Sequence, residues 1–207
     1  MYTYDALNKR LTISGTRFCS FGFASVMLRF CFADAGEVKV YSWNGSVWSQ
    51  LGSTIYGPSA EAGAAVGTSV DINDAGDKIV FGAYGYDGGS TNKGIAWVYS
   101  WNGSAWVIQD NSNSDLIGGS SRDSYGWRVS FDSDGDRLAV SGFGGLNSPG
   151  IVGMYEWDGS SWSQLGSDID GEAAGDQSGY SVSLDSDGDR VAIGAYQNAG
   201  NGTQAGH

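Results

Sequence analysis

Apolar and polar positions alternate between residues 178 and 196. Val182 and Leu184 stand between Ser181 and Ser183, Asp187-Gly188 interrupts the pattern, and Val191-Ala192-Ile193 resumes it. A period of two marks a strand, so this stretch predicts two strands around a tight turn. The same pattern occupies residues 66–84 and 125–143, and the three segments align without a gap, with Gly76, Gly135 and Gly188 in register. A second pattern interleaves with the first: VYSWNGSVW at 40–48, VYSWNGSAW at 98–106 and MYEWDGSSW at 154–162. Asn44-Gly45, Asn102-Gly103 and Asp158-Gly159 separate alternating runs there. Such dipeptides are strong hairpin signals, because a type I′ turn needs positive φ at both central residues. With a two-residue turn, Trp43 would face Ser46 and Tyr41 would face Trp48.

Two hairpins per repeat give four strands, A to D, and Tyr41, Tyr99 and Tyr155 recur 58 and 56 residues apart. Residues 2–14 fit the A–B hairpin as well, with Asn8 at the turn glycine position. Asn is among the few residues besides Gly that tolerate the left-handed region. A four-stranded unit of this length matches a propeller blade. The expected fold is therefore all-β, a partial β-propeller of about three and a half four-stranded antiparallel blades. Blade 1 spans 1–52, blade 2 spans 53–109, blade 3 spans 110–166, and half of blade 4 spans 167–207. Rings usually close with about four to eight blades, and open edges invite pairing. The pattern thus predicts either a piece of a longer protein, whose remaining blades are the partners of these, or an assembly that completes the ring.

Composition refines this picture. Of 207 residues 34 are Gly, which suits many short strands joined by tight turns. Asp and Glu number 23 against 11 Lys and Arg, a net charge of −12, which argues against nucleic acid because phosphates are bound by Lys and Arg. The longest apolar stretch, residues 18–32, is interrupted by Arg29 and is too short for a membrane-spanning helix. A hydrophobic content of 41% allows a core, unlike that of a disordered acidic tail.

The A–B segments resemble the FG-GAP repeat of integrin-alpha-like β-propellers, in which an aromatic-Gly pair opens strand A, Ser-Val follows, and Gly-Ala-Pro closes strand B. Tyr125-Gly126 fits the opening, and Gly67 and Gly179 keep its glycine. Ser69-Val70 and Ser181-Val182 keep the next pair. Gly82-Ala83-Tyr84 and Gly194-Ala195-Tyr196 match the close, with Tyr in place of Pro. The resemblance implies an extracellular or cell-surface region that serves adhesion by binding a protein or glycan, with a signal peptide outside the given residues. A structural spacer of a large surface protein, or a non-catalytic part of a secreted enzyme, are the alternatives.

Calcium is the one cofactor the resemblance implies, through acidic residues of the A–B loop. The candidates are Asp132, Asp134 and Asp136 in one turn and Asp185, Asp187 and Asp189 in another. Oxygen ligands two residues apart suit Ca²⁺. The competing reading is a polar turn in which Asp bonds nearby backbone, and the short loop and Ala75 in blade 2 favour it. The aromatics recur as regularly. Tyr41, Trp43 and Trp48 should share one blade face, as should Tyr99, Trp101 and Trp106, with Val38, Val40, Val47 and Leu51 opposite. Trp43, Trp48, Trp101, Trp106, Trp157 and Trp162 are either packing between blades or a sugar-stacking ladder. Asn44, Asn102 and Asn201 lie in glycosylation sequons, which turn chemistry explains at the first two.

Residues 16–36 exceed the corresponding link of the other repeats and hold Cys19 and Cys31. They read as an insertion closed by a disulfide in an oxidising compartment, as a late signal peptide ending at Ala33-Asp34-Ala35, or as a translation artefact. No catalytic constellation stands out: the one His is residue 207, and Ser133-Asp134-Gly135 breaks the Ser-x-Asp-x-Gly spacing of sialidase-type propellers. The chain is expected not to be an enzyme.

Overall fold

The computed structural model describes residues 2–5, 10–13, 35–57, 63–87, 92–109, 116, 124–143, 148–200 and 206. The described residues form strands and turns and no helix. The strands are β1 (Tyr2–Asp5), β2 (Arg10–Ile13), β3 (Tyr41–Trp43), β4 (Trp48–Gln50), β5 (Val70–Ile72), β6 (Lys78–Ala83), β7 (Ile95–Trp101), β8 (Trp106–Ile108), β9 (Arg128–Phe131), β10 (Arg137–Gly142), β11 (Ile151–Trp157), β12 (Trp162–Gln164), β13 (Ile169–Asp170), β14 (Ser178–Leu184) and β15 (Val191–Ala195). They assemble into antiparallel sheets. Two are four-stranded meanders, β5-β6-β7-β8 and β9-β10-β11-β12, with β13 added to β11. The pairs β1-β2, β3-β4 and β14-β15 form separate two-stranded sheets.

The two meanders follow the expected A-to-D order, whereas among the described residues of 1–52 the hairpins β1-β2 and β3-β4 form separate sheets. The links 84–94 and 143–150 fold β7 back on β6 and β11 back on β10, whereas β2 and β3 are separated by the much longer 14–40 and do not pair. The expected insertion and both cysteines, Cys19 and Cys31, fall largely or wholly outside the described residues.

The outer hairpins also differ from the expected register. Trp43 pairs with Trp48 and Tyr41 with Gln50; Trp101 pairs with Trp106 and Trp157 with Trp162. Each turn therefore holds four residues rather than two. The cause is the side chain at its first position. Asn44 Oδ1 accepts the N–H of Ser46 and of Val47, both at 3.0 Å, and the Ser46 hydroxyl at 2.9 Å. Asn102 and Asp158 repeat this set on Ser104-Ala105 and Ser160-Ser161. The carboxyl of Asp158 is held down to about 2 by the Ser161 N–H first and by the hydroxyl and N–H of Ser160 next. This cap is fully charged above the ordinary carboxyl range and is lost only as pH falls towards 2.

Sheets pack face to face through two buried clusters. Ile79, Phe81 and Trp97 on one face of the first meander meet Val38, Ile55 and Val66, with Val40 and Leu51 against them. Its other face, Val80, Ala96 and Val98, meets Val129, Phe131, Leu138, Val140, Tyr155 and Trp162 of the second meander. β14 packs on β9 and β10 in turn. The expected opposite-face set holds for Val38, Val40 and Leu51, but Val47 lies in the four-residue turn and is exposed.

A backbone seam joins each repeat to the next. The N–H of Val66, Tyr125 and Ser178 donates to the carbonyl of Ala35, Lys93 and Pro149, at 2.8, 3.0 and 3.0 Å. The following glycines, Gly36, Gly94 and Gly150, form parallel bridges to the same three residues. A Cβ on Gly94 would lie 2.0 Å from the Tyr125 carbonyl oxygen, and its φ is +75°. Gly103 has φ +93° but nothing among the described residues within 4 Å of its missing Cβ. Gly94→Ala should therefore cost at least about 2 kcal/mol and lower Tm by about 4–8 °C, while Gly103→Ala should cost only about 1 kcal/mol. Thermal melts of both variants followed by circular dichroism check this, and equal shifts would contradict the seam.

Candidate functional site

The A–B turns bring their acidic residues to one rim of the molecule, but they turn these inward on the backbone. Asp132 is buried, and its Oδ1 accepts the N–H of Asp136 and of Arg137, both at 3.1 Å. Asp185 Oδ1 accepts the N–H of Asp189 and of Arg190 at the same distance. In the first meander Asn73 does this work, accepting from Asp77 and Lys78. The first residue of each turn is thus a cap that an amide performs as well as a carboxylate. Asp134 and Asp187 contribute carbonyls instead. Lys78 Nζ donates to the carbonyls of Asp134 and Gly135, at 2.9 and 3.2 Å, and Arg137 donates to that of Asp187 at 3.3 Å. The Asp136 carboxyl is raised by desolvation first and by its neighbour Asp132 next, while Asp189 pairs with Arg190. The structure does not bring either trio together around a common point. Among the described residues no group of three or more His, Cys, Asp or Glu is placed to hold a metal ion. A groove of about 440 Å³ lies between the A–B turns of the two meanders, lined by Asn73, Asp77, Lys78 and Asp134 among others.

The tryptophans meet in pairs, as cross-strand neighbours. Ring centroids lie 5.5 Å apart for Trp43 and Trp48, 5.4 Å for Trp101 and Trp106, and 5.6 Å for Trp157 and Trp162. Trp106 and Trp162 are buried and Trp101 and Trp157 half-buried, all packed in the clusters between sheets. These four offer a sugar little or no open ring face. Only Trp43 and Trp48 stand exposed, beside exposed Tyr41.

A different aromatic group gathers where the inner hairpins end, at the edge away from the A–B turns. Tyr84 directly follows β6, Phe143 follows β10 and Tyr196 follows β15, while Trp127 precedes β9 and Tyr180 lies in β14. Trp127 is the hub, 5.2 Å from Tyr84, 4.6 Å from Phe143 and 5.8 Å from Tyr180 between ring centroids. Tyr180 continues to Tyr196 at 4.4 Å. The Arg128 guanidinium lies over Trp127 at 4.8 Å and reaches Tyr180 at 5.8 Å. A cation over an aromatic face gains about 0.5–1 kcal/mol at exposed sites, and Arg and aromatics are the residues enriched at binding surfaces. Tyr180 and Tyr196 are exposed, and the buried Trp127 indole N–H has no partner among the described residues. The row thus offers ring faces, a phenol edge and a fixed positive charge side by side. Sequence reasoning missed this row. Its signal was the aromatic at 84, 143 and 196, where the FG-GAP pattern has Pro.

No family model matches the chain, and no curated protein matches it. Among solved structures, a putative 6-phosphogluconolactonase from Bacteroides uniformis ATCC 8492 is similar, with 15% identity and a TM-score of 0.45. The match covers 83% of this chain and 50% of that one, so the chain spans half the length of that structure. The expectation that the chain is not an enzyme is corrected on this point, because the similar structure bears an enzyme's name. At this identity and TM-score the match assigns no activity to the chain.

The turn geometry predicts a specific pattern of variants. Asp132→Asn keeps the cap, as Asn73 does, and should leave Tm unchanged with or without calcium. Asp132→Ala leaves two N–H groups without their acceptor and should cost about 1–3 kcal/mol. Scanning calorimetry in calcium and in EDTA checks both, and loss of a calcium-dependent Tm shift in Asp132→Asn would instead make Asp132 a ligand.

Proposed function

We propose that the repeated sheets are blades of an FG-GAP-like β-propeller, and that the region binds a protein or glycan ligand at an extracellular or cell-surface location. Several features support the blade reading. Two four-stranded meanders share one strand order, their faces pack on one another, and the same backbone seam recurs between units. The inner strands are also stitched directly. Asp71 Oδ2 accepts the Phe131 N–H at 2.8 Å and Ser130 Oγ accepts the Leu184 N–H at 3.1 Å. Side-chain acceptors at matching positions of successive inner strands are what radial packing of like units requires.

The observation that carries the binding reading is the aromatic row Tyr84–Trp127–Tyr180–Tyr196 with Arg128 across it. It spans three consecutive repeats, so it is a property of the array rather than of one sheet. Its rings are rigid and lose little side-chain entropy on binding. The tryptophan ladder anticipated on the outer hairpins is largely consumed by packing, which leaves this row as the better-placed surface. The calcium reading of the Asp turns is not carried forward, since their first carboxylates serve the backbone.

Arrays of glycans and of matrix proteins probed with the wild-type chain and with Tyr180→Ala/Tyr196→Ala test the reading. Both tyrosines are exposed, so the fold should be kept. At least one ligand should bind the wild type, and the double variant should bind it at least about tenfold more weakly. A chain that binds nothing on either array would favour the structural-spacer reading. Equal binding by wild type and variant would move the ligand site away from the row.

A further inference from the structure

Inside the chain, the β7–β8 hairpin rests on a seat formed by the preceding repeat. A Cβ at Gly52 would lie 2.8 Å from Trp101 and 3.0 Å from Trp106, so only a hydrogen there leaves room for the two indoles. The Trp106 indole N–H donates to the Leu51 carbonyl at 3.0 Å, and Leu51 packs in the same buried cluster. The hexapeptide that makes this seat, WSQLGS at 48–53, recurs unchanged at 162–167. Gly52 and Gly166 share a left-handed φ, +76° and +71°. At the second seat nothing among the described residues lies within 4 Å of a Cβ on Gly166, and Leu165 is exposed.

The matching plug is also uncovered. Trp43 and Trp48 correspond to Trp101 and Trp106 in sequence and in ring geometry, yet they are 52% and 63% exposed. Two further features are open in the same sense. Among the described residues β15 pairs only with β14 and β3 only with β4, whereas in the meanders the equivalent strands pair as β6 with β7 and β10 with β11. Lys78 and Arg137 each reach the turn of the following repeat, but Arg190 extends into solvent and pairs within its own turn.

We infer that a second copy of this chain docks head to tail, with the β3–β4 hairpin of one copy beside β15 of the other and Trp43 and Trp48 seated on Leu165-Gly166. The occupant is a second copy because plug and seat repeat the sequence and geometry of a pair already mated within the chain. Docking would give strand order β14-β15-β3-β4 across the two copies, the order of the meanders, and would place Arg190 near the next turn. The contact is heterologous, so each added copy leaves one plug and one seat free and association continues to a ring or a filament. This contact is independent of any ligand at the aromatic row.

Sedimentation velocity of the 207-residue protein over a concentration series tests it. The wild type should form concentration-dependent species larger than a dimer. Trp43→Ala/Trp48→Ala removes the plug and Leu165→Arg blocks the seat. All three side chains are exposed, and unchanged circular dichroism melts verify the fold. Each variant alone should associate at least about tenfold more weakly than the wild type. An equimolar mixture should form a dimer and nothing larger, because one intact plug meets one intact seat. A wild type that stays monomeric gives these faces to another occupant and overturns the inference. So does a tryptophan variant that associates like the wild type, or a mixture that stays monomeric.

Discussion

The structure depends on one repeated backbone contact: the N–H at the start of each inner hairpin donating to the carbonyl before the glycine that opens the third strand of the preceding repeat. Val66, Tyr125 and Ser178 make it with Ala35, Lys93 and Pro149. The contact brings two main chains closer than any side chain allows, which is why Gly36, Gly94 and Gly150 stand beside it. Once it is made, the next sheet can lie only with its apolar face on its neighbour. Phe81 and Trp97 are thereby buried against the first repeat, and Leu138 and Val140 against the second. Burial of each such side chain contributes about 1.5–3 kcal/mol, but the seam decides which faces meet.

Polar groups follow the same logic from repeat to repeat. The rim of A–B turns is held by side chains that cap their own turn and by cations that reach the next, so an acidic chain of net charge −12 spends several carboxylates as backbone acceptors. Asn73, Asp132 and Asp185 are interchangeable in this role. At the opposite edge aromatic rings gather with Arg128. Buried Tyr125 ties the seam to the core through a 2.7 Å hydroxyl contact with Tyr155, and burial first holds its phenol well above the ordinary range.

Much of the fold was legible in the sequence because its units repeat. Period-two alternation placed β5, β6, β9, β10, β14 and β15, and the Asn-Gly and Asp-Gly pairs placed the outer turns. The outer register was not legible, since a two-residue turn and a four-residue turn capped by Asn44 share one signature and differ only in where Oδ1 points. The roles of the aspartates were ambiguous for the same reason: spacing alone does not say whether a carboxylate faces an ion or an amide. The aromatic row was hidden because its members come from three repeats and meet only when sheets are packed. The constraint on the glycines at 36, 94 and 150 comes from a neighbour some thirty residues further along the chain, which no local pattern shows.

Native-state amide hydrogen exchange at Tyr125 tests the central claim most directly. If the seam joins the sheets into one cooperative stack, the Tyr125 amide should exchange as slowly as those of Val80 and Val140 in the middle strands of the two meanders, through global opening alone. A Tyr125 amide that exchanges at loop rates while Val80 and Val140 stay protected would contradict it, and would leave the sheets as independent units that merely touch.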